Sequence, residues 1–283
     1  MSGAFSKTLY LILVSAALHG AAAGALPILG EYVPEGPDTP AGVCKIVFYH
    51  GSYYDPIQQN WDKLCSGTII SKRRLLTAAH CVNYLAHHEA LSAKIICSPG
   101  SFAWGQDVTV ITKHPDYVEK DTEPIPNHDV AILEVGKDFD FPPITLAQSK
   151  DAVDEALKTP EQCVLYGYGK DNDGKEGNLH GAQLQILPYN PALFRRYGPH
   201  VFFSGFNGRN RAEVGDSGGP VLCKNADGAW IEIAVHVQAD ERWNISLHER
   251  VDNNLDWIRL IQNLPRLPRE PESKAYLFAD YVP

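Results

Sequence analysis

Gly215-Asp216-Ser217-Gly218-Gly219-Pro220 sets three glycines and a proline around one aspartate and one serine. Glycine allows main-chain conformations that a side chain forbids, and proline fixes φ and removes an N–H. By itself such a run marks a bend. It becomes chemistry only with a base at hand, because a serine hydroxyl is a poor nucleophile until its proton is taken and a third group orients the base.

Two other segments offer those partners. Thr77-Ala78-Ala79-His80-Cys81 places an imidazole beside a cysteine able to pin its loop, and His128-Asp129-Val130-Ala131-Ile132-Leu133 opens an apolar strand on an aspartate. Each alone has a plain reading, as a surface or core histidine and as a turn or capping aspartate. Together, in the order His80, Asp129, Ser217, they resemble the trypsin-like serine peptidase family.

The resemblance covers almost the whole mature chain. It implies an all-β fold of two six-stranded antiparallel β-barrels with a C-terminal helix. Residues 26–148 would form the first barrel, with the histidine and aspartate, and residues 149–264 the second barrel and the helix, with the serine. It implies a secreted serine endopeptidase in which His80 is general base and acid, Asp129 fixes its tautomer and Ser217 forms the acyl-enzyme. The N–H groups of Gly215 and Ser217 would make the oxyanion hole. That chemistry needs no cofactor and no metal. The expected partner is a protein or peptide substrate, with a protein inhibitor as a further candidate, and a monomer is expected.

Composition agrees with a globular extracellular chain. The 283 residues carry a net charge of -9, and the pI near 5.6 argues against nucleic-acid binding, which calls for a basic face. Lys7, the apolar run Leu9 to Leu18 and the small residues Ala21 to Ala25 form a secretory signal layout, with cleavage expected after Ala25 or Ala23. The apolar run is shorter than the ~20 residues a membrane span needs, so no membrane partner is expected.

Short apolar runs separated by turns read as strands at Cys44–Tyr49, Gly67–Ile70, Ala93–Cys97 and Val108–Ile111. A polar, helix-capable stretch, Ser149–Gln162, precedes a second set at Cys163–Tyr166, Ala182–Leu187, Val221–Cys223 and Trp230–Val237. Asp252, Asn253 and Asn254 are capping residues for a run with Leu255, Ile258, Ile261 and Leu264 at helical spacing, which must end before Pro265. Residues 265–283 read as a Pro-rich mobile tail.

Six cysteines suit disulfides in an oxidising compartment, and no Cys-x-x-Cys pair or histidine spacing completes a metal site. By the resemblance, Cys65 and Cys81 clip the histidine loop, worth about 3 kcal/mol in the entropic account, and Cys163 pairs with Cys223 in the second barrel. That leaves Cys44 and Cys97 to each other by elimination. Asp171-Asn172-Asp173-Gly174 starts like a calcium loop but lacks its later acidic ligand. Ser71-Lys72-Arg73-Arg74 reads as a solvated basic turn.

The sequence also departs from the family. The resemblance implies that an Ile-Val-Gly-Gly type terminus, freed by cleavage after a basic residue, pairs with the aspartate beside the nucleophile, here Asp216. No basic residue precedes the similar Ile28-Leu29-Gly30-Glu31. Removal of Leu26-Pro27 by a proline-accepting dipeptidyl peptidase would expose Ile28; otherwise Ile28 merely opens a loop. Six residues before the nucleophile, where trypsin-like enzymes carry an aspartate, stands Arg211. At a pocket floor it would favour acidic substrate side chains; in solvent it would pair with Glu213, which replaces a family cysteine. His236-Val237-Gln238 align with the segment that binds substrate backbone, and Ser246 falls near the far pocket wall beside the sequon Asn244-Ile245-Ser246. The pocket expectation is therefore Arg211, His236, Gln238 and Ser246. The rival reading is a secreted homologue that binds partners with little turnover. A lipase or esterase reading fails for want of a Gly-x-Ser-x-Gly elbow.

Overall fold

Short runs rich in β-branched residues, broken by turns, fold here as strands. The computed structural model describes residues 40–50, 61–86, 91–97, 105–117, 128–171, 174–188, 190–205, 212–240, 245–265 and 277–278. The signal layout, Ile28, Arg211, Asn244 and most of the tail lie outside the described residues.

The first half contains β1 (Val43–His50), β2 (Lys63–Ser71), β3 (Arg74–Thr77), helix α1 (Ala79–Ala86), β4 (Leu91–Ile96), β5 (Gln106–Lys113) and β6 (Ala131–Val135). Antiparallel pairing runs β5-β4-β1-β2-β3-β6, and β5 also pairs with β6, so the six strands close into a barrel. β1 is buried along nearly its whole length because both of its faces are covered. Cys44, Ile46 and Phe48 point into the barrel core, while Val43, Val47 and Tyr49 pack with Tyr166, Tyr168 and Leu222 of the second half. This is the period of two expected of a strand, with a second layer replacing solvent.

The second half contains β7 (Thr145–Leu146), α2 (Lys150–Ala156), β8 (Cys163–Gly167), β9 (His180–Gln183), β10 (Gln185–Ile186), α3 (Pro191–Tyr197), β11 (Val201–Gly205), β12 (Pro220–Lys224), β13 (Trp230–Asp240), β14 (Ile245–Arg250) and α4 (Leu255–Asn263). Its sheet runs β10-β11-β14-β13-β12-β8-β9, with β7 beside β13, and forms a second, nearly closed barrel. Two mostly-strand barrels and a C-terminal helix are the expected fold.

Local chemistry sets the helices. Ser149 caps α2 by accepting the Ala152 N–H at 3.2 Å, and Asn190 caps α3 with Pro191 at its first position. α4 buries Leu255, Trp257, Ile258 and Ile261 and stops before Pro265. The reading of Asn254 as a side-chain cap is corrected: its side chain makes no cap bond, because Oδ1, the atom a cap would use, is taken by His128 Nδ1 at 2.8 Å, while Nδ2 donates to Glu249 Oε1 at 2.9 Å and Arg250 O at 3.0 Å. Of the tail, Leu277–Phe278 forms β15, parallel to β5 at Val110 and Ile111.

The turn read as solvated and basic keeps Lys72 exposed but is corrected at its arginines. Arg73 pairs with Asp138, and Arg74 is buried at 6% exposure. Its guanidinium bonds Glu134 Oε1 at 2.9 Å and the carbonyl oxygens of Gln262 and Leu264, so it closes the end of α4 onto β3. Lys45 is a second buried cation, at the junction of the halves. Its ammonium donates to Gly177 O at 3.2 Å between the rings of Trp61 and Tyr168, and burial pushes it down to about 8.

Three disulfides join Cys44 to Cys97, Cys65 to Cys81 and Cys163 to Cys223, and no cysteine is free. No helix among the described residues is long and apolar enough to cross a membrane.

Candidate active site

His80 is the second residue of α1, just after β3, and the Cys65–Cys81 bridge ties the next residue to β2. Asp129 stands two residues before β6, the neighbour of β3. This adjacency lets one buried carboxylate make two bonds: Oδ1 accepts the His80 N–H at 2.8 Å, and Oδ2 lies 2.8 Å from His80 Nδ1. The ring proton therefore sits on Nδ1, leaving the Nε2 lone pair as base.

Ser217 is half-buried in the loop before β12. Its carbonyl accepts the Ser66 N–H at 2.8 Å, and the Ser66 hydroxyl bonds Gly215 O at 2.9 Å and accepts the Tyr168 N–H at 3.0 Å. Thr77 Oγ1 in turn donates to Ser66 O at 2.7 Å. Ser66 thus hangs the nucleophile loop of the second barrel on the strand that carries Cys65. Its role is invisible in sequence, where it is one serine among many. The Ser217 hydroxyl makes no hydrogen bond among the described residues; nucleophile–base contacts are often long before substrate binds.

Hydrogen bonding along 215–219 is selective. Asp216 N–H goes to Glu213 O, Gly218 N–H to His236 O and Gly219 N–H to Asp216 O. The N–H groups of Gly215 and Ser217 donate to nothing among the described residues. Gly215 holds φ +103 and Gly218 φ +82, in the left-handed region that only glycine adopts at little cost.

The pocket residues are divided. His236 and Ser246 are buried at 2% exposure, and Gln238 is exposed on β13 beyond a bulge. The His236 main chain is spent on the nucleophile loop, since its N–H donates to Gly219 O at 2.8 Å and its carbonyl accepts from Gly218. Its ring lies 5.2 Å from that of His248, and burial holds His236 down to about 4. His248, bonded through Nε2 to Ser204 Oγ at 2.8 Å, is depressed further by burial. Both rings are neutral at physiological pH.

Asp216, expected to meet a chain terminus, is bound by groups of the folded body. Oδ1 accepts the Gly169 N–H at 2.8 Å and lies 3.1 Å from His180 Nε2, and Oδ2 accepts the Glu213 N–H at 2.8 Å. Sequence reading missed His180, which only its place beside Gly167 on β9 reveals.

His128, at φ 58, directs Nδ1 to Asn254 Oδ1 at 2.8 Å and stacks on His114 at 4.1 Å. With Asp116 these histidines are a group whose ligand atoms lie within 4.8 Å. His114 Nδ1 accepts the Asp116 N–H at 3.2 Å and His128 Nδ1 is engaged by Asn254 Oδ1, so each ring already spends one nitrogen within the fold. In the run that starts like a calcium loop, Asp171 Oδ1 accepts the Lys175 N–H at 2.8 Å.

A serine on a glycine-rich loop, tied by Ser66 to the strand beside a His–Asp pair on a two-barrel body, points to one family, and the description "Trypsin" matches residues 50–258. The chain belongs to the trypsin family. It is 27% identical over 230 residues to rat transmembrane protease serine 9, covering 76% of this chain and 21% of that protein. It is 22% identical over 178 residues to mouse atrial natriuretic peptide-converting enzyme, covering 59% of this chain and 16% of the relative. The chain therefore spans about a fifth of the length of these relatives, and what it shares with them is a trypsin-family domain.

Proposed function

We propose that this chain is a secreted serine endopeptidase that cleaves peptide bonds through an acyl-enzyme on Ser217, with a preference other than Lys or Arg before the cut. The observation that carries the reading is the double hold of Asp129 on His80, through the main-chain N–H and ring Nδ1, both at 2.8 Å. That hold fixes the tautomer a general base needs.

In the proposed cycle His80 Nε2 takes the Ser217 proton as Oγ attacks the scissile carbonyl. The resulting oxyanion is received by the N–H groups of Gly215 and Ser217, which donate to nothing else among the described residues. His80 then protonates the leaving amine, and the acyl-enzyme is released by water activated at the same nitrogen. Secretion is supported by the signal layout and by three disulfides with no free thiol. Non-tryptic selection is supported by Arg211, which stands six residues before the nucleophile where trypsin-like enzymes carry an aspartate.

A fluorophosphonate probe tests the chemistry. Labelling of the folded protein that disappears in Ser217→Ala is the expected result; a folded but unlabelled wild type supports a binding protein instead. A peptide library with Asp, Lys, Phe or Leu before the cut tests selectivity, and strong Lys preference overturns it.

A further inference from the structure

Asp216 immediately precedes the nucleophile and is 2% exposed, so its ionised carboxylate requires a counter-charge within the fold. His180, 4% exposed on β9, faces it. The other ring nitrogen of His180, Nδ1, lies 3.2 Å from the Asn178 carbonyl oxygen. Both nitrogens thus face acceptors, Asn178 O and Asp216 Oδ1, and an imidazole donating at both carries two protons and a positive charge. Burial opposes that charge, but Asp216 outweighs it and His180 is raised above its ordinary range, with Asp171 adding to the effect.

The surroundings are tightly built. A Cβ on Gly167 would stand 2.1 Å from Asp216 Oδ1, and one on Gly169 2.7 Å from it. Lys45, from the first barrel, holds Gly177 O in the segment leading to β9. On the other side His236, held down to about 4, adds no charge. Carboxylate and imidazolium balance one to one.

We propose that His180 is the positioning cation of this site: its imidazolium, in place of the ammonium of a processed terminus, holds Asp216 and so the turn presenting the Gly215 and Ser217 N–H groups. The consequence for catalysis rests on the endopeptidase reading. It follows that the chain is competent without a free terminus at Ile28. Loss of the cation leaves a buried, uncompensated carboxylate, and the turn rearranges and withdraws its two donors.

The test compares protein beginning at Ile28 with protein carrying a Gly-Ser extension before it, each as wild type, His180→Gln and His180→Lys. The two wild-type forms should hydrolyse peptide within twofold of each other. His180→Gln should lose at least tenfold, in kcat more than in KM. His180→Lys should recover most of that loss and move the alkaline limb of the pH profile upward, since the pair works below the folded pKa of its cation and fails as pH rises through it. Activity confined to the Ile28 form, or undiminished in His180→Gln, overturns the proposal. An NMR titration of the His180 ring is independent of turnover: a charged ring in folded protein at neutral pH supports the ion pair, and a neutral one overturns it. If neither wild-type form reacts with the fluorophosphonate, the endopeptidase reading fails, and this titration still decides the ion pair.

Discussion

Thr77 Oγ1 lies 2.1 Å from the position a Cβ on Gly218 would occupy, with Ser66 O at 2.4 Å and Ala78 N at 2.9 Å. The nucleophile loop thus touches the segment carrying His80 through a glycine that admits no side chain. Gly218→Ala should cut kcat/KM by at least about a hundredfold, the order of losing an oxyanion donor. Gly228 is the control: it has a similar φ of +78 with nothing within 4 Å. Gly228→Ala should leave activity unchanged and cost about 1 kcal/mol in thermal or denaturant unfolding. Equal effects of the two substitutions on activity would sink the account.

Asp129→Asn keeps the size of the side chain but invites the wrong tautomer at His80. A kcat loss of about ten-thousandfold is expected, with a near-native circular dichroism spectrum. A loss below about tenfold would mean that the His80–Asp129 contact does not set the base.

Glu232 is buried in the second barrel, neither carboxyl oxygen has a hydrogen-bond partner among the described residues, and burial pushes it up to about 8. The unfolded chain releases this proton near 4.5. Between those values the folded state binds more protons, so this residue's contribution to stability falls as pH rises, and it is constant below the window. Melting curves across the window should show wild type losing ground to Glu232→Gln as pH increases. Parallel trends in the two proteins would refute the assignment.

Arg74 bonds Glu134 at 2.9 Å and Leu264 O at 3.1 Å while only 6% exposed. Arg74→Met strands a poorly exposed carboxylate and the last carbonyls of α4. It should cost about 3 kcal/mol in urea unfolding. Adding Glu134→Gln should recover part of that loss, since the uncompensated charge is then gone. A purely additive double mutant contradicts the pairing.

The strands and the segments of His80, Asp129 and Ser217 were legible because each is local: an apolar run, a glycine-rich loop, an aspartate opening a strand. The end of α4 was equally plain from Pro265. The Ser66–Gly215 bond spans 149 residues and His128–Asn254 spans 126, and nothing local in the sequence pairs residues so far apart. The misreadings share that cause. Asn254 beside a helix and Arg74 in a basic run look like a cap and a solvated turn until distant elements close over them.

The acceptors of Arg74 at Gln262 and Leu264 lie 188 and 190 residues further along the chain. During synthesis at about 5–20 residues per second, the first barrel leaves the ribosome many seconds before those carbonyls exist. Its β2–β3 corner can take its final form only after the last helix has been translated. Premature termination anywhere upstream of Gln262 therefore damages the half of the protein that was already made.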